Sequence, residues 1–158
     1  MDQYLKIRTM DSNSFESDFI KEVSIKDNML SGLVFLPALN KLLPLEIDPE
    51  IDHPKPVDFD KLIKEGRRLI EYLHPESLQM LKDFLSREIT ESAYEQEDHP
   101  PTAQDFTALS QDLDLVKIAV FPNGFVLDYK STTIFADSEI KVQLNQAFNV
   151  DDIAIYDE

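Results

Sequence analysis

The sequence predicts an α+β fold, a largely antiparallel sheet packed against a central helix pair, in one domain over residues 1–158. Three observations carry this. Strand-like alternation fills the first and last parts of the chain and helical spacing the middle, with no βαβ alternation between them. His74-Pro75 divides the helical stretch, because the residue before a proline is pushed out of the α region. Pro122-Asn123-Gly124 stands between two β-prone runs, where a tight hairpin would turn.

The elements follow in order. Tyr4, Leu5 and Ile7 mark a short β-prone piece, and Phe19, Val23 and Ile25 alternate with polar residues as in a half-buried strand. Lys26-Asp27-Asn28 signals a turn. Leu30 to Leu36 is almost wholly apolar, which predicts a strand covered on both faces. Pro37 to Lys41 interrupts the run, and Leu43, Leu45 and Ile47 alternate again, so the two strands form a hairpin.

Asp48 to Val57 carries three prolines among charged residues and reads as an exposed connector. Asp58 is placed to cap a helix whose apolar stripe is Phe59, Leu62, Ile63, Ile70 and Leu73, with Gly66 on the stripe permitting close approach of another element. Pro75 suits the first position of a second helix, followed by Glu76 in the first turn and by Leu78, Leu81, Leu85 and Ile89 on one face. A single kinked helix is the alternative to a tight corner.

Tyr94 to Thr102 reads as a loop. Thr102-Ala103-Gln104-Asp105 then resembles a capped helix entry, with the helix running to about Ser110. A strand over Leu115 to Phe121 places Val116, Ile118 and Val120 on one face, and Phe125 to Tyr129 returns after an Asn-Gly turn with positive φ. Ile140, Val142 and Leu144 alternate in a further strand, and Ile153 and Ile155 in a last one.

Composition bounds the function. Fifteen Lys and Arg against thirty-one Asp and Glu give a formal charge of −16, a field that repels nucleic-acid phosphates and anionic membranes and attracts basic proteins. The excess is uneven: residues 91–158 hold 14 acids and 3 bases. With no cysteine there is no disulfide, thiolate metal site or thiol nucleophile. Three glycines, Gly32, Gly66 and Gly124, fit no phosphate loop or nucleophile elbow. The first residues lack a basic stretch followed by an apolar one, and prolines interrupt the longest apolar-rich run, so the chain is expected to be cytoplasmic, with no membrane association.

Three constellations could carry function. Asp48, Glu50, Asp52 and His53 lie in one connector; an Asp-His pair orients an imidazole, and the carboxylates could add oxygen ligands for a divalent ion. This is the alternative of a metal-dependent hydrolase, opposed by prolines that favour extension. Lys61, Lys64, Arg67 and Arg68 group on the first helix as an exposed face or a local anion site. Late aromatic residues, Phe125 and Tyr129 among them, belong to the sheet core. If they instead face water, they form a contact patch beside Asp128, Asp137, Glu139, Asp151 and Asp152, the aromatic anchors and acidic rim that a binder of a basic protein needs.

The order of hairpin, helix pair and the segments Phe125-Val126-Leu127-Asp128-Tyr129 and Ile140-Lys141-Val142-Gln143-Leu144-Asn145 resembles that of small acidic bacterial cytoplasmic proteins of unknown function. In size and charge the chain is similar to immunity proteins. That resemblance implies neutralisation of a partner and carries over no site residues. The sequence reading is therefore a non-catalytic protein-interaction module without cofactor that binds a basic partner; a homodimer joined through apolar surface of the first strands is a further alternative.

Overall fold

The computed structural model describes residues 19–51 and 59–157. Seven strands form one sheet in chain order: β1 Ile20–Lys26, β2 Met29–Leu36, β3 Lys41–Ile47, β4 Leu113–Phe121, β5 Gly124–Ser131, β6 Ser138–Asn145 and β7 Val150–Asp157. Between β3 and β4 come three helices, α1 Asp60–Tyr72, α2 Pro75–Ala93 and α3 Ala103–Asp112. Neighbouring strands pair antiparallel except β3 and β4, which are parallel. A parallel pair requires a crossover, and the helices supply it. The fold is the α+β class that the sequence predicts, with a third helix beside the corner pair. The β-prone piece at Tyr4–Ile7 and the cap assigned to Asp58 lie outside the described residues.

Local chemistry explains the turns. Asp27 and Asn28 both take positive φ, 52° and 62°, the left-handed conformation that suits a two-residue hairpin loop between right-twisted strands. Pro37–Leu39 makes one 3-10 turn, and Asn40 in the left-handed region (φ 51°) hands the chain to β3. At the β4–β5 hairpin the sequence expectation fails in mechanism while holding in position. The loop residues are Pro122 and Asn123, between paired Phe121 and Gly124, and neither Asn123 nor Gly124 has positive φ. Gly124 is required for space: a Cβ there would run into the backbone carbonyl oxygen of Leu144 on β6.

Two bulges change which residues face the core. In β1 the register shifts between Lys21 and Ser24, where Glu22 has φ 54°, so Ile20 is buried while Phe19, Val23 and Ile25 are only half-buried. In β4 the shift between Leu115 and Lys117 puts Leu115, Ile118 and Val120 in the core and leaves Val116 half-buried, correcting the simple alternation.

The predicted corner is present. His74 is the N-cap of α2 and Pro75 its first residue; the imidazole Nδ1 accepts from the Ser77 amide at 3.4 Å, and the His74 amide donates to Ser77 Oγ at 3.1 Å. Leu78, Leu81, Leu85 and Ile89 are buried as their spacing predicts. In α1 the core residues are Leu62, Ile63 and Leu69, whereas Ile70 is half-buried. Gly66 faces Val120 of β4, where a Cβ would stand 3.4 Å from its Cγ2. Thr102 and Asp105 cap α3 reciprocally.

The core lies on one face of the sheet, where Leu30, Val34 and Leu36, Leu43, Leu45 and Ile47, and matching residues of β4 to β6 meet the helices. The other face carries no helix among the described residues. On it Phe35 and Leu42 are cross-strand partners, 44% and 45% exposed, so β2 is covered on one face only and not on both.

Candidate functional site

Registration across the open face generates two rows of alternating charge. Lys117 pairs with Asp128 and Asp128 with Lys141, while Asp114 pairs with Lys130 and Lys130 with Glu139. Glu46 of β3 extends the first row by an ion pair with Lys117, and Lys41 extends the second with Asp114 at 3.1 Å. Strand partners of opposite charge support each other in this way. Lys141 Nζ donates to both Asp128 oxygens at 3.1 and 3.2 Å and pairs with Glu139 at 2.9 Å. Burial pushes the Asp128 carboxyl above the usual carboxylate range against the pull of Lys141, whereas the Lys141 hydrogen bond holds Glu139 below it.

This geometry divides the predicted contact residues. Phe125 and Tyr129, 1% and 0% exposed, belong to the helix-covered core, so the contact-patch reading does not extend to them. Asp128 and Glu139 are both engaged within the sheet by Lys141. Asp137, Asp151 and Asp152 are exposed. The three bases of residues 91–158, Lys117, Lys130 and Lys141, all stand in β4 to β6, so β7 has acids and no base. β7 pairs only with β6 among the described residues and presents Ile155 and Tyr156, 45% and 53% exposed, beside Asp151, Asp152 and Asp157. The opposite edge, β1, carries Lys21, Lys26 and a bulge, devices that discourage strand addition.

Of the hydrolase constellation, Asp48 and Glu50 are described and Asp52 and His53 are not. Asp48 Oδ1 accepts from the Glu50 amide at 2.8 Å, a local turn, and its own amide donates to the Val120 carbonyl at 2.9 Å. Among the described residues no group of three His, Asp or Glu side chains is placed to hold a metal ion. Of the basic group on α1 the two arginines are engaged: Arg68 bonds Glu65 at 2.9 Å and the Gln146 carbonyl at 2.7 Å, and stacks over Phe148, while Arg67 lies over Phe19. The Arg68 hydrogen bond holds the Glu65 carboxyl below its usual range.

Two features were not anticipated from the sequence. Asp112, at the end of α3, organises the β5–β6 connection. Its carboxylate accepts from the amides of Thr133 (3.0 Å) and Ile134 (2.9 Å) and from the hydroxyls of Ser131, Thr132 and Thr133. Burial alone would raise this carboxyl, but the donors together hold it far below the normal carboxylate range. The second is a groove of about 800 Å³ between α2 and α3, whose walls include Lys82, Arg87 and Phe106. Among its lining residues Asp83 Oδ1 accepts from Gln79 at 2.9 Å and from Ser110 at 3.3 Å.

Comparison with family models, curated proteins and solved structures gave no match. No described helix is long and apolar enough to cross a membrane.

Proposed function

We propose that the chain is a non-catalytic protein-interaction module that captures a basic partner along β7, in the manner of an antagonist or immunity-type protein. The observation that supports this reading is the charge asymmetry of the sheet: β4 to β6 balance their acids with Lys117, Lys130 and Lys141, while β7 offers Asp151, Asp152 and Asp157 around Tyr156 with no base. A basic extended segment added beside β7 would gain main-chain hydrogen bonds, and its side chains would meet the aromatic anchor and the acids. An exterior of this sign steers such a partner by long-range attraction that salt weakens.

The test is affinity capture with the wild-type chain and with the Asp151→Lys/Asp152→Lys double variant, each at low and high salt. A basic protein retained by the wild type, released by salt and lost with the charge reversal is the expected result. Capture that ignores both salt and the reversal would refute it. A second reading, a homodimer, is favoured by exposed Phe35 and Leu42 on the open face beside Leu33 and Pro44. Sedimentation velocity of the wild type and of Phe35→Ser separates the two, because only a dimer dissociates on that change.

A further inference from the structure

Among the described residues Tyr129 is the one whose buried side-chain polar atom has no hydrogen-bond partner in the protein. Buried polar groups are almost always satisfied, and phenylalanine would fill the same place without a hydroxyl to desolvate. Tyr129 lines a cavity of about 190 Å³ beneath the start of α2. The apolar walls are Ala38 and Leu39 from the β2–β3 turn, Leu78 from α2 and Leu115 from β4. Lys82 and Asp114 add charged groups to the lining. Asp114 is engaged by Lys41 at 3.1 Å, whereas no ion pair within the protein holds the Lys82 ammonium among the described residues. Burial raises the Tyr129 phenol far above its ordinary range, so at neutral pH it remains a hydrogen-bonding hydroxyl.

We propose that this cavity is a binding site for a compact, largely apolar carboxylic acid with a hydroxyl or carbonyl group at the end opposite its carboxylate. The far group meets the Tyr129 hydroxyl, the body lies against Ala38, Leu39, Leu78 and Leu115, and the carboxylate lies at Lys82. Size sets the class: a cavity of about 150 Å³ lined by aliphatic side chains accommodates a benzene ring. The volume here admits one ring or a short chain with small substituents, and excludes nucleotides. Charge sets the polarity, since in a chain with a formal charge of −16 an anion needs a cation not already committed to a partner, and Lys82 supplies it. This site is separate from β7 and does not depend on the partner-binding reading.

Calorimetric titration of the full chain with 4-hydroxybenzoate and with benzoate tests the proposal, using wild type, Tyr129→Phe and Lys82→Gln. The wild type should bind 4-hydroxybenzoate at one saturable site, about five- to tenfold more tightly than benzoate, the effect of one hydrogen bond. Tyr129→Phe should erase that preference while retaining benzoate. Lys82→Gln, a change at the rim, should weaken both acids by about threefold or more. No saturable binding of either acid at millimolar concentration would overturn the proposal. So would a Tyr129→Phe variant that keeps the preference, or a crystal structure grown with 4-hydroxybenzoate that shows solvent alone on the Tyr129 hydroxyl.

Discussion

Replacing Asp112 by alanine removes the acceptor for five donors of the β5–β6 connection, the amides of Thr133 and Ile134 and the hydroxyls of Ser131, Thr132 and Thr133. A hydrogen bond to a charged group contributes about 1.5–3 kcal/mol. The carboxylate is half-exposed and the hydroxyls of exposed Thr132 and Thr133 can turn to water, so only the two amides and the Ser131 hydroxyl, on a buried residue, lose most of their value. Allowing for that screening, the expected loss is about 2–3 kcal/mol, or roughly 5–10 °C in Tm for a chain of this length. Asp112→Asn keeps the shape but turns an amide donor toward the Thr133 and Ile134 donors, and should cost about half as much. Urea denaturation measures the loss, and hydrogen exchange locates it, since Thr133 and Ile134 should lose protection before the core of β5. The pH dependence has a definite sign. The folded-state pKa of Asp112 is depressed, so its contribution is complete above the unfolded value of about 3.9 and disappears as pH falls through the folded value. The gap between wild type and Asp112→Asn should therefore close on acidification below about pH 4. A loss under 0.5 kcal/mol, or unchanged protection at Thr133 and Ile134, would refute the anchoring role.

Two further changes probe the sheet. Gly124→Ala places a methyl group inside the Leu144 carbonyl and must displace β5 from β6; urea denaturation should register a loss of about 2–3 kcal/mol. Lys141→Met leaves the Asp128 carboxylate without its partner in a nearly closed setting, and with Lys141 itself partly exposed the expected cost at pH 7 is about 2 kcal/mol. That cost should shrink toward pH 4, because burial already raises the Asp128 carboxyl and a protonated Asp128 has no charge to leave unpaired; stability curves at the two pH values check it.

Features with a local cause were legible in the sequence. The turn at Asp27-Asn28, the His74-Pro75 corner and the Thr102–Asp105 cap each depend on a few adjacent residues, and each stands where the sequence places it. Simple alternation failed at the bulges, because one extra residue exchanges the faces: Ile20 and Leu115 enter the core while Val23 and Val116 are left half-buried. Gly124 was found for the wrong reason, since the atom that demands it belongs to another strand. Candidate-site residues divide similarly. Asp151 and Asp152 could be read as exposed from composition alone, but pairing of Asp128 and Glu139 with Lys141 depends on strand register. The Asp112 anchor joins residues about twenty positions apart, and the Tyr129 cavity joins four separate stretches of chain; neither leaves a local pattern to read.

The parallel seam has its own consequence for how the molecule assembles. β4 to β7 are joined by short reversals, so they can zip up from neighbouring chain, and β1 to β3 likewise. Among the described residues the strand pairing that registers the two halves of the sheet is Leu45–Ile118, Glu46–Ala119 and Ile47–Val120, backed by the Glu46–Lys117 and Lys41–Asp114 ion pairs, and that junction must enclose the whole stretch from 48 to 112. Loop-closure entropy makes such a junction late to form and, in the reverse direction, early to open. The molecule is thus two quickly made ribbons fastened along a short suture, and mechanical or thermal stress should part it there before either ribbon unravels.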